Sequence, residues 1–177
     1  MDTIDNALPQ NPNTPLFKSA LEYSIMFSLI GIAMMMIAHY AGLDMNGWTW
    51  KLLSWAVSIT LVGWMIWNFR EKKNGGFLRY GQGVGLSTLT GLIAGVLTGI
   101  FFFIFVKYIA PEFIENIENK AISDMQAQGL SDSQIEMNMK YATMFMSPGA
   151  MVIYSIIGSV VSYLILGLIF SAIFKRD

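Results

Sequence analysis

The stretch Tyr80–Glu112 reads YGQGVGLSTLTGLIAGVLTGIFFFIFVKYIAPE, and it decides the class of the fold. Small residues recur in it at every fourth position, which places them along one side of an α-helix. This small-residue ladder consists of Gly83, Ser87, Gly91, Gly95 and Gly99. In water, each interior glycine would cost such a helix about 1 kcal/mol relative to alanine. In a lipid bilayer, small residues allow two helix backbones to approach closely, so the stretch predicts a membrane-spanning helix with a packing face.

The composition of the whole chain agrees with a membrane protein. Of the 177 residues, 54% are hydrophobic and 13% are charged, which is too apolar for an ordinary soluble domain. The net charge of −1 gives no basic surface for nucleic acid. With no cysteine and one histidine, the sequence excludes disulfides, iron–sulfur clusters and thiolate or His-rich metal sites. No pair of carboxylates has a convincing catalytic setting, so we expect no cofactor and no enzymatic activity.

Four apolar segments are long enough to cross a bilayer, which requires about 20 residues. They cover approximately residues 16–40, 50–69, 83–109 and 149–174. Residues 1–15 are polar and contain three prolines, so we expect a flexible cytoplasmic tail followed by a single membrane domain over residues 16–177. The sequence therefore predicts an all-α integral membrane protein with four transmembrane helices.

The segment between the third and fourth spans, residues 110–148, has the pattern of an extramembrane helical hairpin. Pro111 and the acidic residues after it suit the start of a helix. Gly129 suits a helix end, and Ser131 with Gln134 forms a capping-box pattern that starts a second helix. We expect this hairpin either to stand above the bundle or to lie on the lipid surface.

The lysines and arginines predict the orientation of the spans. One side of a four-span arrangement holds seven of the 11 basic residues: Lys18, Arg70, Lys72, Lys73, Arg79, Lys175 and Arg176. The other side holds the remaining four: Lys51, Lys107, Lys120 and Lys140. Because cytoplasmic loops carry an excess of basic residues, we expect both termini in the cytoplasm and the hairpin on the opposite side.

The chain resembles a known family, most specifically between Gly75 and Lys175. The resemblance is carried by the glycine-rich third span, by IAPEFIENIENK at 109–120, by GLSDSQIEMNMKYATMFMSP at 129–148 and by the closing helix before Lys175-Arg176. Together these segments are similar to the small four-span membrane proteins of domain of unknown function 4199, found mainly in Bacteroidota. The resemblance implies a bacterial inner (cytoplasmic) membrane location with a periplasmic hairpin. It implies no activity and no functional residue.

The fourth span offers a partner for the small-residue ladder. Its matching face consists of Ser155, Gly158, Ser159 and Ser162. Small residues at this spacing are the ordinary means of packing helices in lipid, so we interpret both faces as a helix–helix seam. The alternative is that the ladder lines a pore.

Two polar residues near the ends of the first span are candidates for an intramembrane polar site. Glu22 is the only carboxylate inside a predicted span, and an acid in that position is a candidate proton or cation site. It lies one turn after Lys18 and within reach of lipid headgroups, while His39 lies at the far boundary. No charged residue falls in the middle third of any span, which disfavours a self-sufficient transporter.

Three functions remain as hypotheses. The first is a non-enzymatic accessory, assembly or interaction protein whose partners are the lipid bilayer and either another membrane protein or a second copy of the chain. The second is a small channel or transporter subunit that works as an oligomer, with the third span along the path. The third is periplasmic copper handling by two Met-x-Met pairs: Met137, Met139, Met144 and Met146.

Overall fold

The structure, a computed structural model, describes residues 15–176, and this part of the chain is almost entirely helical. Its helices are α1 (Leu16–Tyr40), α2 (Trp48–Asn68), α3 (Tyr80–Ile104), α4 (Glu112–Ala127), α5 (Asp132–Met146) and α6 (Pro148–Phe174). Two of them end in a wider π-helical turn, α2 over Phe69–Lys73 and α3 over Phe105–Ile109. The tail predicted over residues 1–15 lies outside the described residues, except for Pro15.

Four helices within residues 15–176 are long and apolar enough to cross a membrane. They are α1, α2 with its π turn, α3 with its π turn, and α6. The predicted all-α class and the four candidate membrane-spanning helices are therefore confirmed. The helix of the second span continues beyond the predicted end at residue 69, because the π turn carries it through Lys73.

Helix α3 lies at the centre of the bundle. It packs along α6 on one side and along α1 on another, while α2 packs on α6. Ser24 of α1 donates a hydrogen bond to the Thr90 carbonyl of α3 at 3.1 Å, so part of the α1–α3 contact is polar. Helices α1 and α2 are consecutive in the chain but are barely packed against each other.

The bundle has two distinct ends. At the terminal end, the backbones of Leu78 and Arg176 exchange two hydrogen bonds of 2.9 and 3.0 Å, which ties the α2–α3 loop to the end of α6. The start of α1 lies at the same end, since Glu22 is ion-paired with Lys73. At the hairpin end lie the α1–α2 loop, α4 and α5. Each end has its own hydrophobic cluster, centred on Phe69 near the terminal end and on Phe105 near the hairpin end.

Helices α4 and α5 pack against each other and form the hairpin between α3 and α6. Gly129 adopts a φ of +79°, a left-handed conformation that suits glycine after a helix end. The backbone N–H of Ser131 donates to the Gln134 side chain at 2.9 Å, which is one half of a capping box. The hairpin contacts the bundle through Phe113, whose ring lies 5.8 Å from that of Phe105.

Candidate functional site

The small-residue ladder of α3 faces α6. A Cβ atom added at Gly91 would lie only 2.6 Å from the Tyr163 Cβ, and one added at Gly95 would lie 3.1 Å from the Ser159 Cβ. At Gly99 the nearest atom of α6 belongs to Val152, at 3.0 Å. These distances leave no room for larger side chains, so backbone approach at this seam depends on glycine.

The seam continues toward the terminal end with Gly83 and Ser87. A Cβ at Gly83 would overlap the Ser171 hydroxyl, and Ser87 lies against Gly167 so closely that a Cβ there would overlap the Ser87 hydroxyl. Sequence reasoning missed Gly167 and Ser171. They follow Tyr163 at successive intervals of four residues, and this repeat is the pattern that would have revealed them.

The residues predicted on α6 occupy three different positions. Ser155 lies at the edge of the seam, and its hydroxyl oxygen is 3.5 Å from the position of a Cβ atom added at Gly99. Gly158 is exposed, and a Cβ added to it would have no neighbour within 4 Å, so the structure does not bring it to α3. Ser162 lines a separate small cavity with Ser54 and Ser58 of α2.

One hydrogen bond crosses the centre of the seam. The Ser159 hydroxyl donates to the Gly91 carbonyl at 2.8 Å. The side of α3 that carries the ladder is therefore covered by α6, both by close backbone approach and by this bond. A conducting path along the ladder would require α3 and α6 to separate.

Glu22 and His39, the two candidates for a polar site, lie at opposite ends of α1. The Glu22 carboxylate forms an ion pair with Lys73, whose ammonium group also lies 4.8 Å from the centre of the Tyr23 ring. Both charged side chains are partly exposed, at 50% for Glu22 and 27% for Lys73. The sequence pattern pointed to Lys18 as the neighbour of Glu22, and the Lys73 partner was missed because it lies beyond the predicted second span.

Tyr23 closes the terminal end of the gap between α1 and α2. Its hydroxyl donates to the Asn68 side chain at 2.8 Å, and its ring meets the Trp64 ring edge-on at 5.9 Å. His39, at the hairpin end, contacts the rings of Tyr40 and Phe105 at 5.2 Å each. The structure therefore gives Glu22 an ion-paired setting and gives His39 an aromatic one.

Above Tyr23, the gap between α1 and α2 widens into a cavity of about 400 Å³, here called the interhelical cavity. It is lined by residues of α1, α2, α3 and α6, and it extends to Met45 and Phe113 at the hairpin end. Its walls are mostly apolar, with hydroxyl groups from α2, α3 and α6. Binding sites for small molecules are commonly cavities of this size and character, about 300–1,000 Å³. Nothing in the sequence pattern revealed it, because it depends on how the helices are arranged.

The loop between α1 and α2 is tied to the hairpin by a second ion pair. The Asp44 carboxylate accepts the backbone N–H of Asn46 at 2.9 Å and lies 3.2 Å from the Lys120 ammonium group of α4. The Asn46 hydrogen bond and then Lys120 lower the pKa of Asp44 below its usual value. Asp44, Met45 and His39 also border a groove at the hairpin end.

No group of three His, Cys, Asp or Glu side chains suited to a metal ion occurs within residues 15–176. Of the four methionines in the Met-x-Met pairs, Met137 and Met144 are exposed on one side of α5. Met139 and Met146 are partly buried on the other side of α5. The two members of each pair therefore point in opposite directions, as residues two apart on a helix do.

Comparison with known protein families gives a match over most of the chain. Residues 22–176 match the family described as a protein of unknown function, DUF4199, so the match begins within α1 and includes the other three candidate membrane-spanning helices and the hairpin. No curated protein matches the chain, and no solved structure matches it. The match agrees with the resemblance carried by the glycine-rich span and the hairpin segments, and the chain belongs to the DUF4199 family.

Proposed function

We propose that the protein is a non-enzymatic accessory protein of the bacterial inner membrane and that its α4–α5 hairpin binds a membrane-protein partner. In this proposal the four spans anchor and position the hairpin. The observation that carries it is an apolar surface on α5 for which the described part of the chain provides no cover.

Helix α5 has apolar residues on two opposite sides. One side is turned inward and includes Ile135, which is 7% exposed. The other side consists of Met137 (57% exposed), Tyr141 (61%), Met144 (65%) and Phe145 (57%), here called the outer stripe. These four residues follow the i, i+4, i+7, i+8 spacing of a single helix face. A solvated helix needs only one apolar side to pack on its neighbour, so the outer stripe indicates a second binding partner.

The outer stripe is continuous with the membrane-facing surface of α6. The Phe145 ring lies 6.1 Å from the ring of Tyr154, which is near the start of α6 and is 49% exposed. A partner bound to the stripe would therefore also contact the outermost turns of a transmembrane helix. This location suits a partner that is itself embedded in the membrane, since it could bury both surfaces together.

The distribution of basic residues supports a periplasmic position for the hairpin. Seven of the 11 lysines and arginines lie at or near the terminal end, including Arg79, Lys175 and Arg176. Under the positive-inside rule that end faces the cytoplasm, so both termini are cytoplasmic in this proposal. The hairpin, at the other end of the bundle, is then periplasmic.

Site-specific photo-crosslinking in intact membranes tests the proposal. A photoreactive phenylalanine analogue replaces Tyr141 in the outer stripe, and in a matched variant it replaces Thr143, which is exposed on the flank of α5. We expect a discrete protein adduct from position 141 and a much weaker one from position 143. Adducts with lipid alone at position 141 would instead place the stripe on the membrane surface and would contradict a protein partner.

A double substitution provides the second arm of the test. Met137→Ser with Phe145→Ser removes apolar contact area from the stripe, and Glu136→Ser with Thr143→Ser makes an equal number of changes beside it. We expect only the first pair to abolish the adduct formed at position 141, because only those residues belong to the proposed contact. An adduct that survives the first pair would show that the outer stripe does not bind the partner.

A further inference from the structure

Two of the helices that line the interhelical cavity, α1 and α2, are barely packed against each other. Helix α3 packs on α1 and α6, and α6 packs on α2, so within residues 15–176 the seam between α1 and α2 is left barely packed. Ile30 and Met34 line the cavity from α1, and Val57 lines it from α2. The Tyr23 contacts with Asn68 and Trp64 close this seam at the terminal end. The barely packed α1–α2 seam is therefore the side from which a molecule dissolved in lipid would enter the cavity.

The lining of the cavity excludes charged ligands. Among the described residues that line it, none is Asp, Glu, Lys, Arg or His. An ion brought into an apolar membrane cavity without a counter-charge would lose its hydration at a cost of several kcal/mol or more. A ligand of this cavity is therefore uncharged and enters from lipid.

The hydroxyl groups in the cavity divide into two sets. Three of them donate to backbone carbonyls at 2.8 Å each: Ser58 to Ser54, Ser155 to Val152, and Ser159 to Gly91. The side-chain hydroxyls of the other three make no hydrogen bond to any described residue: Ser54, Thr98 and Tyr163. They come from three different helices, α2, α3 and α6, and all border the same space.

The three hydroxyl donors around this uncharged cavity determine which chemical groups a ligand must present. A polar group left without a partner in an apolar environment costs about 1–3 kcal/mol, so a ligand that accepts these hydrogen bonds gains their free energy. The aromatic rings of Phe27, Trp50 and Tyr163 supply flat apolar surface beside the hydroxyls. Carbonyl oxygens on an otherwise apolar molecule fit both properties.

We propose that the interhelical cavity binds an uncharged, lipid-soluble molecule through its carbonyl oxygens, with Tyr163, Thr98 and Ser54 as hydrogen-bond donors. Two sources in a membrane present this chemistry, the ring carbonyls of a quinone and the acyl-ester carbonyls of a lipid. The inference is independent of the hairpin partner, since it rests on the four spans and not on the outer stripe.

Tryptophan fluorescence gives a direct readout, because Trp50 lines the cavity. The full chain is placed in lipid nanodiscs and titrated with a short-chain quinone, and the quenching is compared with that of a Trp50→Phe variant. We expect saturable quenching in the wild type that is largely lost in Trp50→Phe. In parallel, native mass spectrometry of the detergent-purified protein detects a retained ester lipid and its displacement by the quinone.

Two variants test the site itself. Gly31 lines the cavity, and a Cβ there has no neighbour within 4 Å, so Gly31→Leu fills the space without a backbone clash. Gly158→Leu is the matched control, because its Cβ is equally unobstructed and lies outside the cavity lining. Tyr163→Phe removes one donor and keeps the ring. We expect Gly31→Leu to abolish binding, Tyr163→Phe to weaken it about threefold to tenfold, and Gly158→Leu to leave it unchanged.

The outcomes distinguish a quinone ligand, an ester-lipid ligand and the absence of any ligand. Saturable quinone quenching with no retained lipid assigns the site to a quinone, and a retained lipid that the quinone does not displace assigns it to an ester lipid. If the protein showed no saturable quenching and retained no lipid, the hydroxyls would be satisfied by water and the proposal would be wrong. Equal binding by wild type, Gly31→Leu and Tyr163→Phe would also overturn it.

Discussion

The two long seams of this bundle differ in how closely their helices approach. The α3–α6 seam, here called the closed seam, is tightly packed, and the α1–α2 seam, here called the open seam, is not. Along α3–α6, small residues bring the backbones so close that Cβ atoms at Gly83, Gly91 and Gly167 would overlap side chains of the facing helix. Along α1–α2, larger residues such as Met34 and Val57 line an open cavity. Lipid provides no hydrophobic force that drives apolar helices together. Close approach in this protein therefore occurs where the side chains are smallest, and apolar content alone leaves a seam open.

The largest expected effect comes from placing a large residue in the closed seam. Gly91→Leu forces a side chain against the Tyr163 Cβ and the Ser159 carbonyl, which a Cβ would approach to 2.6 and 3.1 Å. We expect a loss of about 3 kcal/mol in the free energy of unfolding or no folded protein at all, because a backbone atom cannot move aside as a flexible side chain can. Gly31→Leu, at the open seam, is the control and should be nearly neutral. Thermal unfolding in mild detergent measures both, and equal losses would contradict the comparison.

We expect a smaller loss of stability at the terminal end of the open seam, where Tyr23 of α1 contacts α2. Tyr23→Phe removes the hydrogen bond to Asn68 at the terminal end and leaves the aromatic contact with Trp64 in place. We expect a loss of about 1 kcal/mol in the free energy of unfolding, the usual net value of one hydrogen bond. Tyr154→Phe is a matched control, since the Tyr154 side chain is half exposed and makes a ring contact with Phe145 that the substitution keeps. If Tyr154→Phe were as destabilising as Tyr23→Phe, the closure at Tyr23 would have no special role.

The smallest effect concerns the ion pair that ties the α1–α2 loop to the hairpin. The pKa of Asp44 is lowered in the folded state by the Asn46 N–H and by Lys120. Its contribution to stability is therefore fully present above its unfolded pKa, about 3.9, and is lost as the pH falls through the lower folded pKa. We expect the melting temperatures of wild type and Asp44→Asn to differ slightly at neutral pH and to converge below about pH 4. A difference that stayed constant with pH would show that the charge of Asp44 contributes nothing.

Only the α3 side of the closed seam could be predicted from the sequence. The ladder of α3 has a strict spacing of four residues, and its five residues all face α6 or its edge in the structure. The facing side of α6 could not be chosen as reliably, because that helix is apolar on all sides and has small residues on more than one of them. Gly158 therefore looked as suitable as Gly167, although only Gly167 meets α3.

The open seam could not be anticipated at all. No periodicity in α1 or α2 indicates that two consecutive spans will stay apart, since the gap arises from the way each of them packs on α3 or α6. The ion pair between Glu22 and Lys73 has the same cause, because it joins residues on helices whose relative position only the fold determines. Hydroxyls such as Tyr163 and Thr98 are individually ordinary in membrane helices and become a candidate site only through their convergence on one cavity.

Disulfide formation between introduced cysteines tests the contrast between the seams most directly. The chain contains no cysteine, so any crosslink reports only the introduced pair. Gly95→Cys with Ser159→Cys places two Cβ atoms 3.1 Å apart across α3–α6, slightly closer than the roughly 3.5–4.5 Å of a disulfide, so a small shift allows the bond. Met34→Cys with Val57→Cys instead places two cysteines on opposite walls of the interhelical cavity, one on α1 and one on α2. We predict rapid crosslinking in membranes for the first pair and little for the second. Equally fast crosslinking of the second pair would show that α1 and α2 are packed together, and it would contradict the open seam.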